Sequence, residues 1–249
     1  MKLSIITVVL NNQTGIKDCI NAVLKQTYKD IEYITVDGGS TDGTLQVIKE
    51  FRHRISKCVS EPDRGIYDAM NKGIQMASGD VIGILNSDDF YPHQEVLAKV
   101  AEVFQQKSVD SCYGDLEYVD SVDTSRIMRS WRSGPYLKKR FYWGWMPPHP
   151  TFFARKKVYE KYGSFNPELG SAADYELMLR LLVRHKITTA YIPEVLVKMR
   201  TGGMSNASLN NRMRANRMDR KAWEINGLKP FPWTLWLKPL RKVPQFIFP

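Results

Sequence analysis

Two short acidic segments carry residue types that chemistry can use: Asp37-Gly-Gly-Ser-Thr-Asp-Gly-Thr44 and Asn86-Ser-Asp-Asp89. The first follows the strand-like run Ile31-Glu-Tyr-Ile-Thr-Val36, the second Asp80-Val-Ile-Gly-Ile-Leu85. A parallel sheet presents its ligands at the carboxyl ends of its strands. Carboxylates placed there, beside Gly, Ser and Thr turns, suit a nucleotide and the divalent cation that neutralises its phosphates. Asp88 and Asp89 are adjacent, so in an extended segment they point to opposite sides, one toward a metal and one toward a ribose. Each segment also has a plainer reading. Asn-Ser-Asp-Asp can be a turn running into a helix cap, and Asp37 can open a turn in which Gly38 and Gly39 permit positive φ. That both lie behind strands of the parallel type favours the ligand-binding reading.

Placing those segments needs a sheet, and the first hundred residues provide the pattern of one. Strand 3–10 leads into a helix over 15–26, with Ile16, Cys19, Ile20, Val23 and Leu24 at helical spacing. Strand 31–36 leads into a helix over 41–51, and a short strand over 55–60 into a helix over 63–77. Strand 81–85 ends at the second acidic segment, and a helix over 95–105 follows. Four such units in a row predict an α/β fold with an open, mostly parallel sheet. After about residue 110 the alternation loosens. Runs 111–118 and 127–131 read as antiparallel strands, followed by an aromatic loop over 141–149, a helix over 173–185 and a strand over 189–197. There is no internal repeat.

A chain of 249 residues with 43% hydrophobic content has ample material for a core. It contains no apolar run of membrane-spanning length, and its opening lacks the layout of a cleavable leader, which points to the cytosol. Cys19, Cys58 and Cys112 are scattered without metal-type spacing and fit reduced structural thiols. The charge is lopsided. Of the net +10, a balance of +9 lies from Lys198 onward, where eleven lysines and arginines face only Asp219 and Glu224. A nearly neutral body with a basic tail implies a local anionic partner.

The motifs, in their order, resemble family 2 glycosyltransferases of the GT-A fold. The resemblance runs from Met1 to about Gly203. It rests on the first strand ending in Asn11, on Asp37–Thr44, on Glu61-Pro-Asp-Arg-Gly-Ile-Tyr-Asp-Ala-Met-Asn-Lys-Gly73, on Asn86–Asp89, on the Pro-His149 loop and on Ala173-Asp-Tyr-Glu-Leu-Met-Leu-Arg180. Within the family, the chain is similar to the branch that builds bacterial O-antigen, capsule and exopolysaccharide. The resemblance implies a nucleoside diphosphate sugar donor, UDP-linked first, and an acceptor saccharide on a polyprenyl diphosphate. It implies that Val8, Asn11, Asp37, Arg64, Asp68 and Asp88 line the donor site, and that Asp89, with Asp88, holds Mn²⁺ or Mg²⁺. Two departures touch the nucleotide pocket: Val8-Val-Leu10 stands where Pro-x-Tyr is usual, and Gly38 where a second Asp is usual.

Inversion at an anomeric carbon needs a general base on the acceptor hydroxyl. The family's helix start of Glu/Asp-Asp and a downstream Arg matches Ala173-Asp174 and Arg180, so the resemblance makes Asp174 the base, with Glu176 the second candidate. From the residues alone Asp174 is as readily a helix-start carboxylate. Trp143, Trp145 and His149 read either as a wall that stacks on an acceptor sugar or as a hydrophobic hairpin. The turn Gly202-Gly-Met-Ser205 could close over a diphosphate or simply leave the last strand.

The division expected is therefore a glycosyltransferase domain over 1–203, with a nucleotide-sugar half (1–110) and an acceptor half (111–203), and a basic, Trp-rich tail over 204–249. The tail suits an anionic membrane surface, placing the protein peripherally on the inner face of a bacterial plasma membrane. Its alternative is a helical appendage packed on the domain. No nucleic-acid-binding motif accompanies the charge, and nothing fixes an oligomeric state. Two other functions compete: a sugar nucleotidyltransferase, which the lack of Arg or Lys in Asn11–Gly15 disfavours, and an inactive membrane scaffold, which the intact carboxylates disfavour.

Overall fold

Strand β1 (Leu3–Val9) sends Leu3, Ile5 and Val9 to one side and Ile6 and Val8 to the other, and all five are buried. A strand apolar on both faces belongs in the middle of a covered sheet. The computed structural model, which describes residues 1–202 and 209–247, places it there. After helix α1 (Ile16–Leu24) comes β2 (Ile31–Asp37), then α2 (Thr44–Glu50), β3 (Lys57–Ser60), α3 (Ile66–Met76) and β4 (Val81–Ile84). These four strands are mutually parallel in the spatial order β3-β2-β1-β4. The helices start later than their periodicity predicts, for local reasons. Thr44 N donates to Asp42 Oδ1 ahead of α2, and Gly65, at φ 116°, delays α3.

The chain continues with β5 (Asp89–Phe90), α4 (Val96–Gln106), β6 (Ser111–Val119), β7 (Ile127–Trp131), α5 (Lys138–Tyr142), β8 (Phe153–Arg155), α6 (Lys156–Tyr162), α7 (Ala173–Met178) and β9 (Thr189–Arg200). Among the described residues the sheet reads β3-β2-β1-β4-β8-β6-β9-β5, with β7 on the side of β6. β6 and β7 pair antiparallel as expected, while β6 and β9 run parallel. Asp89 heads a two-residue strand paired with β9, so the helix-cap reading of Asn86–Asp89 is replaced by a turn into a strand. The helix expected over 173–185 is α-helical only to Met178 and continues as a π-helix through Arg184.

Two apolar cores lie on opposite faces of the sheet. One is filled from α1, α2 and α4; the other from α3, the aromatic loop and α7. The second core also takes Ala222, Trp223 and Leu235 from the tail helices α8 (Leu209–Ile225) and α9 (Thr234–Leu240), which α10 (Pro244–Ile247) follows. Of the two readings of the tail, packing on the domain describes its inner side. The approach is close. A Cβ on Gly144, at φ 75°, would stand 2.5 Å from the backbone N of Lys238. Trp143, Phe231, Trp233, Trp236, Leu240 and Phe246 remain exposed. Among the described residues, no helix is long and apolar enough to cross a membrane.

Candidate active site

The parallel register sets Val9 against Asp37 and so gathers the ends of β1, β2 and β4 at one edge. Asp37 is fully buried there. Its Oδ2 accepts from Ser60 Oγ at 2.7 Å and from the backbone N–H groups of Ser40 and Gly39 at 3.1 and 3.2 Å. Its Oδ1 has no partner. Asn11, in the left-handed region at φ 49°, ties the first loop to the second, donating its N–H to Ser40 Oγ and accepting from Thr41 N at 2.8 Å each. Val8, expected in the donor pocket, instead points into the core at 4% exposure.

Asp89 is also fully buried. Its Oδ2 accepts from Asn86 Nδ2 at 3.0 Å, and its Oδ1 is unpaired, as is Oδ1 of Asn86. Burial first, then the charge of Asp88, pushes the Asp89 carboxyl well above its ordinary range; Asn86 and Arg200 pull the other way. Arg200, on β9 beyond the expected end of that strand, donates to the Asp88 carbonyl at 3.0 Å and to Asp18 at 2.7 Å. A buried acceptor lacking a donor costs about 1–3 kcal/mol. Three such acceptors, on Asp37, Asn86 and Asp89, lie at the strand-end edge. Among the described residues no cluster of three or more His, Cys, Asp or Glu could cage a metal. The Asp88–Asp89 pair nevertheless fits a Mg²⁺-type site, in which one or two carboxylates act together with substrate phosphates.

Asp63 supplies a carboxylate that the sequence reading passed over. A Cβ on Gly38 would lie 2.3 Å from its Oδ2, so Asp63 fills the space where the family's second Asp would project. Arg64 and Asp68 pair at 3.0 Å, with Asp68 also accepting from Arg64 N at 3.1 Å; the Arg64 side chain is otherwise largely exposed.

Asp174 sits in the first turn of α7, half-buried, with its Oδ1 accepting from Tyr175 N at 2.7 Å. Glu176, the second candidate, is buried and ion-paired to Arg180 at 2.9 Å, which removes it from solvent. Phe165 joins Tyr67 and His149, with ring centroids at 5.3 and 5.2 Å. Burial holds the His149 imidazole below its usual value, against the charge of Asp174. The Tyr118 hydroxyl is raised by burial, opposed by Arg129, and feels the charges of both Asp89 and Asp174. Trp145 is 5% exposed and donates to the Ser133 carbonyl at 2.9 Å, so of its two readings, sugar wall or hydrophobic hairpin, it takes the second and packs in the core. Trp143 is exposed, but its ring lies 6.0 Å from that of Trp233 in the tail. Of the turn Gly202–Ser205, residues 203–205 lie outside the described residues.

Residues 4–163 match the family described as Glycosyl transferase family 2. A PGL/p-HBAD biosynthesis glycosyltransferase of Mycobacterium bovis is 30% identical over 212 residues, covering 82% of this chain and 78% of the relative. An uncharacterized glycosyltransferase of Mycobacterium tuberculosis is 32% identical over 182 residues, covering 72% and 68%. Among solved structures, Staphylococcus aureus TarS 1–349 in complex with UDP-GlcNAc superposes with a TM-score of 0.69 at 19% identity over 88% of this chain; the match spans 65% of that chain, just under two thirds of it. Mannosyltransferase PcManGT from Pyrobaculum calidifontis, in complex with GDP-Man and Mn²⁺, gives 0.66 at 17% identity, covering 96% and 72%. These two show a shared fold.

Proposed function

The chain belongs to glycosyl transferase family 2, and on that premise we propose that it is an inverting transferase moving a sugar from a nucleoside diphosphate donor, UDP-linked first, to a saccharide on a polyprenyl diphosphate. The observation that carries the reading is a set of buried, partner-short carboxylates, Asp37 and Asp89, at the sheet edge, with half-buried Asp174 at the start of α7. The unpaired Asp37 Oδ1 offers an acceptor to a nucleobase N–H. Asp89, with Asp88, would hold Mn²⁺ or Mg²⁺, which supplies charge neutralisation for the diphosphate when bound. Asp174 takes the proton of the acceptor hydroxyl as its oxygen bonds to the anomeric carbon. The bond from that carbon to the diphosphate oxygen breaks on the opposite face, and the nucleoside diphosphate leaves with the electron pair. Neighbours of this fold bound to UDP-GlcNAc and to GDP-Man support such a donor.

The product would serve bacterial surface polysaccharide. The tail's exposed Trp233, Trp236, Leu240 and Phe246, among basic residues, support docking on the anionic inner face of the plasma membrane.

A panel of UDP- and GDP-sugars with Mn²⁺ or with EDTA tests the reading. We expect slow, metal-dependent release of nucleoside diphosphate from one donor. Asp174→Asn should retain nucleoside diphosphate binding while transfer falls about 10²-fold or more. Undiminished activity in EDTA would remove the metal, and normal turnover of Asp174→Asn would remove the base.

A further inference from the structure

The two residues after Asp174 are gripped from far along the chain. Trp223, fully buried on α8, donates its indole N–H to the Tyr175 hydroxyl at 2.9 Å. Asn226 donates its side-chain amide to Glu176 Oε1 at 3.0 Å and to the Ala222 carbonyl at 2.8 Å. Glu176 also takes both Nε and Nη2 of Arg180, at 2.9 and 3.0 Å, and Arg180 donates onward to the carbonyls of Tyr162 and Ser164. The Lys238 ammonium, bonded to both oxygens of Asp219, lies 3.7 Å from the centroid of the Tyr175 ring.

Apolar burial alone would hold α8 against the domain, but it is non-directional. The hydrogen bonds are directional, and they act on consecutive residues of one helical turn. At 3.6 residues per turn, neighbouring side chains are about 100° apart around the axis. Fixing where Tyr175 and Glu176 point therefore fixes the rotation of α7 and, with it, the direction of Asp174. We infer that Trp223 and Asn226 are positioning residues of the transfer reaction, holding α7 so that Asp174 meets the acceptor hydroxyl. The inference rests on Asp174 being the base. A misplacement of about 1 Å can cost a reaction roughly 10²-fold.

Trp223→Phe and Asn226→Ala, made separately, should each lower kcat of transfer roughly ten- to a hundredfold. The KM for donor and the affinity for nucleoside diphosphate should stay unchanged in protein whose thermal unfolding shows it folded at the assay temperature. Combined with Asp174→Asn, neither change should cost anything further, because the group being positioned is gone. An equal loss in the native and Asp174→Asn backgrounds would make the contacts general support and overturn the inference. Native turnover in both folded single variants would overturn it too. Full turnover of Asp174→Asn alone is a separate result, which removes the base and leaves Trp223 nothing to position. Should Trp223→Phe not fold, Asn226→Ala, which removes one amide, decides the matter.

Discussion

At the level of single residues, two of the proposed site's carboxylates, Asp37 and Asp89, are held where water is excluded. Asp89 shows the tension most clearly: it is fully buried, half of its hydrogen-bonding capacity is unmet, and Asp88 is beside it. Asp89→Asn should abolish transfer and weaken Mn²⁺-dependent binding of nucleoside diphosphate, as calorimetry with and without the metal would measure. Binding that keeps its full metal dependence in the variant would move the cation elsewhere. The positions of Asp37 and Asp89 at strand ends and of Asp174 at a helix start were legible in the sequence as local patterns, whereas the roles proposed for them come from the family resemblance. Asp63 was not legible, since only the fold folds Glu61–Gly65 back over Gly38. Nor was Arg200, whose grip on the Asp88 carbonyl spans 112 positions. Trp145, open between a sugar wall and a hydrophobic hairpin, takes the second. An aromatic cluster has the same composition whether it faces a sugar or a core.

Among elements, the parallel half was read almost whole, with boundaries displaced by a few residues where Asp42 and Gly65 start the helices late. What periodicity could not supply was the pairing of distant strands, such as β6 with β9. The strands bearing the site are also tied by a polar cluster. Burial works against the charge on Glu32, but hydrogen bonds from Ser4, Ser78 and Lys57 prevail and bring its carboxyl down to about 2. Its Oε2 accepts from Ser4 Oγ at 2.6 Å and from Ser78 N at 2.7 Å, joining β1 and β2 to the turn before β4. Because the folded value lies below the unfolded one, this group stabilises the fold above its ordinary value of about 4.5 and loses that contribution as pH falls toward 2. Glu32→Gln should therefore be less stable than the native protein near neutrality, with the gap in thermal unfolding midpoint closing as pH drops through that window. A gap independent of pH would show that Glu32 matters only as a packed side chain.

For the molecule as a whole, the tail has two sides. Trp223, Ala222 and Leu235 are core, while Trp233, Trp236, Leu240 and Phe246 face outward. Cutting the tail away would open the core, so membrane contact is better separated at the surface. Trp236→Ser with Leu240→Ser should sharply reduce binding to vesicles containing anionic lipid and leave the unfolding midpoint nearly unchanged. Attraction of about 1 kcal/mol per basic residue near the surface should make native binding fall steeply with salt. A native chain that ignores such vesicles at low salt would leave the outer face without a lipid role. The inner face has a consequence for how the protein is made. A ribosome delivers the chain from its N-terminus, and Tyr175 and Glu176 emerge before the partners that orient them, which lie 48 and 50 residues downstream. A nascent chain can thus carry every acidic motif of the cleft and still lack the indole that fills its core. A chain that stops short of Trp223 leaves the places of that indole and of Leu235 in the core unfilled.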